Sequence, residues 1–359
     1  MSAMIDYAKH ASLPWLEERT VYLTRHGSHA YGTSLPTSDL DIKGVAIPPR
    51  EYFLGFAQRF EQAESKDPDA VIYDVRKFMS LAADCNPNII EVLWTDPADH
   101  LKVTPAAERL LDAREAFLSR NAKHTFSGYA IAQLKRINAH HRWLRNPPTA
   151  PPTRAEYGLP ARTVIPKDQL PAAESAVRKR IDEWNLDLSA LDVATRLDIE
   201  NKIADHLTAI GVNDAERWNR AARSVGYDEN FIHLLDKERV YTTRLREWGQ
   251  YQTWKATRNP VRAEIEARWG YDCKNAMHLV RLLRMCREIL EMGRVIVRRP
   301  DREELLAIRH GAWTYERLVE WADAEDKALD EVAARSPLPR SPDRARLDAL
   351  CVSIVESAI

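Results

Sequence analysis

The segment GSHAYGTSLPTSDLDIKG, residues 27–44, constrains the fold most, because a small-residue turn precedes two aspartates held one residue apart. TVYLTRHGS is typical of a strand that ends in a turn, and SDLDIKGVAI is typical of a second strand. Alternate side chains of a strand share a face, so Asp39, Asp41 and Lys43 should point the same way. The residues between them should point into the core. The pattern predicts two carboxylates on one face of a small sheet.

This aspartate pair predicts a metal site. Two carboxylates so close together repel each other unless a positive charge lies between them. Ligation by carboxylate oxygens alone favours Mg²⁺ or Mn²⁺. The alternative is that Asp39 is a turn residue and that Asp41 caps a helix or pairs with Lys43. The Gly-Ser pair ahead of the aspartates favours the metal site.

Gly27 and Ser28 predict a turn that holds a phosphate. Glycine allows the backbone to approach a ligand closely, serine adds a hydroxyl, and HAYG can open a helix whose free amides receive an anion. A phosphate-holding turn facing a metal-binding carboxylate pair suits in-line displacement at a nucleotide phosphate. In that chemistry two ions about 4 Å apart clamp the attacking and leaving oxygens.

Three segments carry a resemblance to a known family: GSHAYGTSLPTSDLDIKGV, YDVRKFMSLAADCNPNIIEVLW and GYDCKNAMHLVRLLRMCREIL. Gly-Ser on a strand-to-helix turn, followed by Asp-x-Asp on the next strand, resembles the DNA polymerase beta nucleotidyltransferase superfamily. Together the three segments are similar to its RNA-ligase-associated nucleotidyltransferases, over about residues 20 to 320. The resemblance implies that Gly27 and Ser28 hold the triphosphate of a nucleotide and that Asp39 and Asp41 bind metal ions.

The superfamily usually has a third carboxylate on a following strand, and two residues compete for that role here. Asp69 begins DAVIYD, where the third acid falls in distant relatives, whereas Asp74 directly precedes a helix and fits its N-cap. Their odd separation puts them on opposite faces of an undistorted strand, so only one should reach the metal ions. We favour Asp69 as the third catalytic and metal-binding residue, with Asp74 as the alternative.

Further cations are candidates for binding the nucleotide. Lys43 shares the face of the aspartates and either neutralises phosphate charge or pairs with one of them. KNAMHLVRL places Lys274, His278 and Arg281 at helical spacing along one stripe, which either faces the triphosphate or is the wet face of an amphipathic helix. The resemblance to a Lys-and-His helix of the subfamily supports the first interpretation, and both stay open. Glu91 is expected to support a helix rather than take part in the chemistry.

Composition and periodicity divide the chain near residue 100. Strands and short helices alternate before this point, and helical periodicity dominates after it, interrupted by a proline-dense loop near residues 146–166. We predict an α+β fold: a nucleotidyltransferase catalytic domain over residues 1–103, with the small mixed sheet of the polymerase-beta-like fold, followed by a mostly helical domain over residues 104–359.

The charges nearly cancel, with 52 Lys and Arg against 53 Asp and Glu, so nucleic-acid binding would need a local patch. The candidates RLREWGQYQTWKATRNPVR and VIVRRPDR interleave cations with aromatic residues or fall on loops. The four cysteines form no CxxC pair, and neither a signal peptide nor a membrane span is apparent. These features predict a cytoplasmic protein that does not bind membranes.

The sequence therefore predicts a metal-dependent nucleotidyltransferase. An acceptor hydroxyl would attack the α-phosphate of an NTP and release pyrophosphate. The acceptor is either an RNA end, as the subfamily's association with RNA ligases suggests for RNA repair, or a protein or small molecule. Two alternatives are a module that binds nucleotide or nucleic acid without catalysis and an antitoxin-like enzyme that nucleotidylates a protein.

Overall fold

The chain divides into two compact units, one formed by residues 1–138 with 271–359 and one by residues 139–270. The structure is a computed structural model that describes residues 10, 12–66, 68–166, 169–184, 199 and 214–359.

The first unit contains a five-stranded mixed sheet. The order across the sheet is β3-β4-β2-β1-β5; β2 and β4 are parallel, and the other neighbouring pairs are antiparallel. Together with the helices, this sheet confirms the predicted α+β fold class with a small mixed sheet. The strands are β1 Thr20–His26, β2 Asp41–Ala46, β3 Gln62–Lys66, β4 Asp69–Asp74 and β5 His100–Val103.

Helices make up most of the remaining described structure. One long helix, Asn121–Arg145, runs across the boundary at residue 138, and the helices between residues 169 and 269 belong to the second unit. The helices are α1 Leu16–Arg19, α2 Gly27–Tyr31, α3 Glu51–Leu54, α4 Val75–Ala83, α5 Pro87–Ile90, α6 Pro105–Asp112, α7 Asn121–Arg145, α8 Gln169–Trp184, α9 Asp214–Val225, α10 Glu229–Thr257, α11 Pro260–Trp269, α12 Cys273–Met292, α13 Arg302–Arg309, α14 Tyr315–Arg335 and α15 Arg344–Glu356.

The alternation of side chains along the strands assigns the two faces of the sheet. One face carries a hydrophobic core built by Leu16, Leu23, Ile42, Ala46, Phe60, Ala63, Ala70 and Ile72. On the opposite face, the Tyr22 hydroxyl donates a hydrogen bond to the carbonyl of Val92 at 3.0 Å. Val92 lies in a short 3₁₀ helix, Glu91–Trp94. Because residues i and i+2 share a face, this second face also carries His26 and its strand partner Asp41.

Two helices begin with side-chain caps, one of them at Asp74, as the sequence suggested. The Asn86 side chain accepts a hydrogen bond from the Asn88 amide at 3.0 Å and caps α5, whose first residue is Pro87. The Asp74 side chain caps α4 by accepting from the Arg76 amide at 2.7 Å. The Asp74 cap fixes where the chain leaves β4 and enters α4.

The second unit is helical and has its own core, formed by Ile165, Ala173, Val177, Trp218, Ala221, Ala222, Ile232 and Leu235. The proline-rich segment is tied to α10 because the Arg154 guanidinium pairs with the buried Glu238. In the stretch RLREWGQYQTWKATRNPVR, Tyr251 is buried and packs with Trp143 and Trp254. Aromatic packing between helices therefore accounts for these residues.

None of the described helices combines the length and apolar character needed to cross a membrane.

Candidate active site at the edge of the sheet

Asp41 and Asp69 lie side by side at one end of two neighbouring strands. β2 and β4 are parallel, and their register pairs Asp41 with Asp69. Asp41 is also the strand partner of His26, the last residue of β1. Directly paired residues project their side chains on the same face of a sheet. The two carboxylates and the imidazole therefore share one edge and one face.

The turn after β1 lies directly against Asp41. Gly27 has a φ of +63°, in the left-handed region that glycine tolerates without a steric penalty. A Cβ at this position would overlap the Asp41 carboxylate and lie 2.9 Å from its Cγ. Glycine is therefore required twice at residue 27, by the backbone conformation and by the neighbouring carboxylate.

The groups around Asp41 shift its pKa in opposite directions. Burial and the nearby Asp69 carboxylate raise the pKa of Asp41, while His26, Lys43 and Lys274 act to lower it. A cation between the two carboxylates would relieve their repulsion. Donors of this type, carboxylate oxygens at neighbouring positions, suit Mg²⁺ or Mn²⁺.

Asp39 and Asp74 lie in contrasting surroundings. Asp39 is exposed and precedes β2 by two residues. Asp74 is 2% exposed, caps α4, and pairs through its carboxylate with the Arg76 guanidinium at 2.7 Å. Its strand partner is Ala46, so five strand residues, about 16 Å, separate it from Asp69. Asp69 rather than Asp74 is thus brought beside Asp41, and its catalytic role stays a prediction.

Lys43 contacts an aromatic ring. Its Nζ donates to the Tyr73 hydroxyl at 3.4 Å and lies 5.6 Å from the centroid of that ring. Lys43 follows Asp41 by two residues on β2, so it lies on the predicted face, and its charge lowers the pKa of Asp41. Among its described contacts, the hydrogen bond of Lys43 goes to Tyr73 and not to Asp41.

The stripe on α12 is divided between the site and the interior. Lys274 is partly buried and close enough to lower the pKa of Asp41. Burial, with the charges of Arg281 and Lys274, lowers the pKa of His278 to about 3, so this imidazole is neutral at pH 7. Arg281 is 5% exposed and donates to Glu91 at 2.6 Å. The stripe is therefore not a wet face, and its contacts with a nucleotide remain predictions.

Glu91 is more deeply involved than the sequence suggested. It is 1% exposed; one carboxylate oxygen accepts from Arg281, and the other accepts from the Tyr31 hydroxyl at 2.5 Å. His26 Nε2 lies 3.5 Å from that second oxygen. The signal in the sequence is a single acid inside the apolar run IIEVLW, which calls for a buried partner.

Residues 5–147 match the RNA repair pathway DNA polymerase beta family. The match covers the whole sheet, the turn and both aspartate positions, and it confirms the resemblance and the polymerase-beta-like fold for the first two of the three segments; the third segment lies outside it. The match of this segment to a polymerase beta family supports a nucleotidyltransferase type of function.

One curated relative of the chain is an uncharacterized 38.9 kDa protein from the nrdC-mobD intergenic region of Enterobacteria phage T4. The two are 31% identical over 130 residues, which are 33% of this chain and 38% of the phage protein. The similarity thus spans well under half of either protein, and the polymerase beta family match also ends before most of the helical segment begins.

Proposed function

We propose that the chain is a metal-dependent nucleotidyltransferase that moves an NMP from an NTP to an acceptor hydroxyl and releases pyrophosphate. The observation that carries this proposal is the register of Asp41 with Asp69 beside a turn where Gly27 leaves no room for a side chain. Two carboxylates and a closely approaching backbone are the parts that phosphoryl transfer by positioning and charge stabilisation needs.

In this proposal Asp39, Asp41 and Asp69 hold Mg²⁺ or Mn²⁺. A bound divalent cation would supply charge stabilisation for the reacting phosphate. The Gly27–Ser28 turn would hold the triphosphate through its amides and the serine hydroxyl. Lys43 and Lys274, whose charges already act on Asp41, would offset phosphate charge, and the predicted contacts of His278 and Arg281 complete the set.

The acceptor that we propose is an RNA end. The support is the family that residues 5–147 match, which belongs to an RNA repair pathway. A protein or small-molecule acceptor is the second candidate, and each acceptor class would give a differently degradable product. Free cysteines, of which Cys85, Cys273 and Cys286 are buried, suit a reducing compartment such as the cytoplasm.

The test is an incubation of purified protein with each α-labelled NTP, Mg²⁺ or Mn²⁺ and a host lysate. Wild-type protein is expected to label a nuclease-sensitive product. Asp41→Asn is expected to lower the rate of labelling at least about a hundredfold, because it removes a negative metal ligand. Asp330→Asn makes the same chemical change at an exposed position on α14 and should leave the rate unchanged.

Each other result points to a different function. Protease-sensitive label that depends on Asp41 would move the acceptor to protein, as in an antitoxin-like enzyme. If no fraction, including small molecules, carries label that depends on Asp41, the chain is not a transferase under these conditions. A nucleotide- or nucleic-acid-binding module would then be the remaining function, and its affinity should change little in Asp41→Asn.

A further inference from the structure

We propose that Glu91 is a positioning residue that holds the Gly27–Ser28 turn against Asp41, acting through Tyr31 and His26. This inference deepens the proposed function, since it concerns the turn that would hold the triphosphate. Glu91 itself is buried too deeply to touch a nucleotide.

The contacts of Glu91 converge on both ends of α2. That helix begins at Gly27 and ends at Tyr31, whose hydroxyl donates to Glu91. His26 directly precedes Gly27, and its Nε2 lies 3.5 Å from the same carboxylate oxygen. One buried carboxylate thus binds Tyr31 at the end of α2 through a hydrogen bond and lies against His26 at its start.

The interactions of Glu91 are strong because they are shielded from water. Glu91, Tyr31, His26 and Arg281 are each no more than 5% exposed. The Arg281 guanidinium donates to Glu91 at 2.6 Å and also stacks over the Tyr31 ring, with its carbon 3.9 Å from the centroid. Hydrogen bonds to a charged group are stronger than neutral ones, and a low local dielectric strengthens them further.

The backbone of α2 has a second support from the same unit. The Arg299 amide donates to the Tyr31 carbonyl at 3.0 Å, and the Thr33 amide closes back on the Ser28 carbonyl at 2.9 Å. These backbone bonds hold the end of α2, whereas Glu91 holds its side chains. Removing the Glu91 interaction should therefore loosen the turn without unfolding the unit.

Exact placement of this turn matters because Gly27 packs against the Asp41 carboxylate. A shift of about 1 Å at a positioning group can cost on the order of a hundredfold in rate. Positioning of this kind predicts weaker nucleotide binding as well as slower turnover. A purely structural role would lower stability and leave the properties of the folded protein unchanged.

The test compares Tyr31→Phe and Glu91→Gln with the matched control Glu325→Gln. Tyr31→Phe removes one hydroxyl and is the milder variant, which keeps the proposal testable if Glu91→Gln does not fold. Glu325 pairs with Arg287 on α12 at 2.6 Å, thirteen residues or about 20 Å along the helix from Lys274. The control therefore breaks an ion pair of the same helix away from the turn.

The first readout is hydrogen exchange of the amides of residues 27–33 in the protein without nucleotide. We expect exchange about tenfold faster in Tyr31→Phe than in wild type, the factor that loss of one hydrogen bond to a charged group allows. Glu325→Gln should leave these amides unchanged. The second readout is the KM for NTP, which should rise about tenfold in Tyr31→Phe while the KM for the acceptor stays constant.

The two proposals fail in different ways. Exchange at residues 27–33 in Tyr31→Phe and Glu91→Gln no faster than in the control would overturn the positioning role, whatever the activity. Faster exchange with an unchanged KM for NTP would also overturn it, because the turn would then have no influence on binding. Absence of nucleotidyl transfer in wild type would overturn the proposed function alone, since hydrogen exchange needs no substrate.

Discussion

At the scale of single residues, Gly27 and Gly32 form a matched pair. Both have a positive φ, +63° and +75°, so alanine at either position costs about 1 kcal/mol in backbone strain. Only at Gly27 would the added Cβ overlap Asp41; at Gly32 the nearest atoms lie 3.8 and 3.9 Å away, both in arginine side chains. The two substitutions therefore separate strain from crowding of the carboxylate.

We predict that Gly27→Ala lowers nucleotidyl transfer at least about a hundredfold, because the Asp41 carboxylate must move. Gly32→Ala should unfold at a similarly lowered temperature yet keep most of its activity. Thermal unfolding and initial rates of both variants provide the check. Equal rates in the two variants would show that crowding at Asp41 is unimportant.

Glu91 gives a prediction about pH. Burial alone would raise the pKa of Glu91, but the Arg281 charge, together with His26 and Tyr31, outweighs burial and lowers it to about 2 from an ordinary 4.5. The stabilising contribution of this carboxylate is thus complete above pH 4.5 and is lost as the pH falls towards 2.

The difference in unfolding free energy between wild type and Glu91→Gln should therefore be constant above pH 5 and shrink below pH 4.5. Urea titrations at several pH values measure this difference. The other carboxylates contribute the same pH dependence to both proteins, so their contributions cancel in this difference. A difference that stays constant down to pH 2.5 would contradict the depressed pKa of Glu91.

At the scale of elements, we expect Asp69 and Asp74, the acids at the two ends of β4, to have different roles. We predict that Asp69→Ala lowers transfer at least about a hundredfold with little change in stability. Asp74→Ala should lower the unfolding free energy by about 1–2 kcal/mol, through loss of the α4 cap, and leave the turnover of folded protein unchanged. Denaturant unfolding and active-fraction kinetics separate these effects, and the reverse outcome would make Asp74 the third carboxylate.

The strands also show which elements could be predicted from the sequence and which could not. β1, β2 and β4 follow from apolar alternation and from Asp74 before a helix. The polar β3, QAESK, forms because it pairs with β4, and the four-residue β5 pairs with β1 through few residues. Neither of these two strands has a local pattern that identifies it.

The candidate site shows the same division. Asp41 and Gly27 were predictable because chemistry demands those residue types at a short spacing. The ion pair between Glu91 and Arg281 could not be predicted, because 190 residues separate them and only the packing of α12 brings them together. The stripe on α12 correctly grouped Lys274 with Arg281 on one side, but periodicity alone does not say whether that side faces solvent or a buried carboxylate.

At the scale of the whole molecule, the first unit is assembled from both ends of the described chain. Residues 139–270 form the other unit, and the chain leaves the first unit at Asn138 and returns at Tyr271. The Tyr315 hydroxyl donates to the Asn138 side chain at 2.9 Å, and the rings of Tyr271 and Tyr315 lie 6.2 Å apart. The exit and return points are therefore neighbours.

We predict that residues 139–270 can be replaced by a flexible Gly/Ser linker of about eight residues, whose span is ~15 Å, without loss of the first unit's fold. Cooperative thermal unfolding and retained NTP binding would bear this out. A chain ending at Gly270 is the comparison: it lacks α12 and should fail to unfold cooperatively. Aggregation of the linked protein would contradict the neighbouring exit and return points.

The two-ended construction of this unit also sets the order in which the site forms during synthesis. Glu91 leaves the ribosome early, and its partner Arg281 follows after the whole of residues 139–270 has been made. At about 5–20 residues per second, that interval is on the order of 10 s. Until then the Glu91 carboxylate lacks the ion pair with Arg281, and the contact of Glu91 with Tyr31 of α2 is not yet reinforced. A nascent chain therefore carries an unfinished turn, and we expect the proposed binding of a nucleotide to begin only once α12 has emerged.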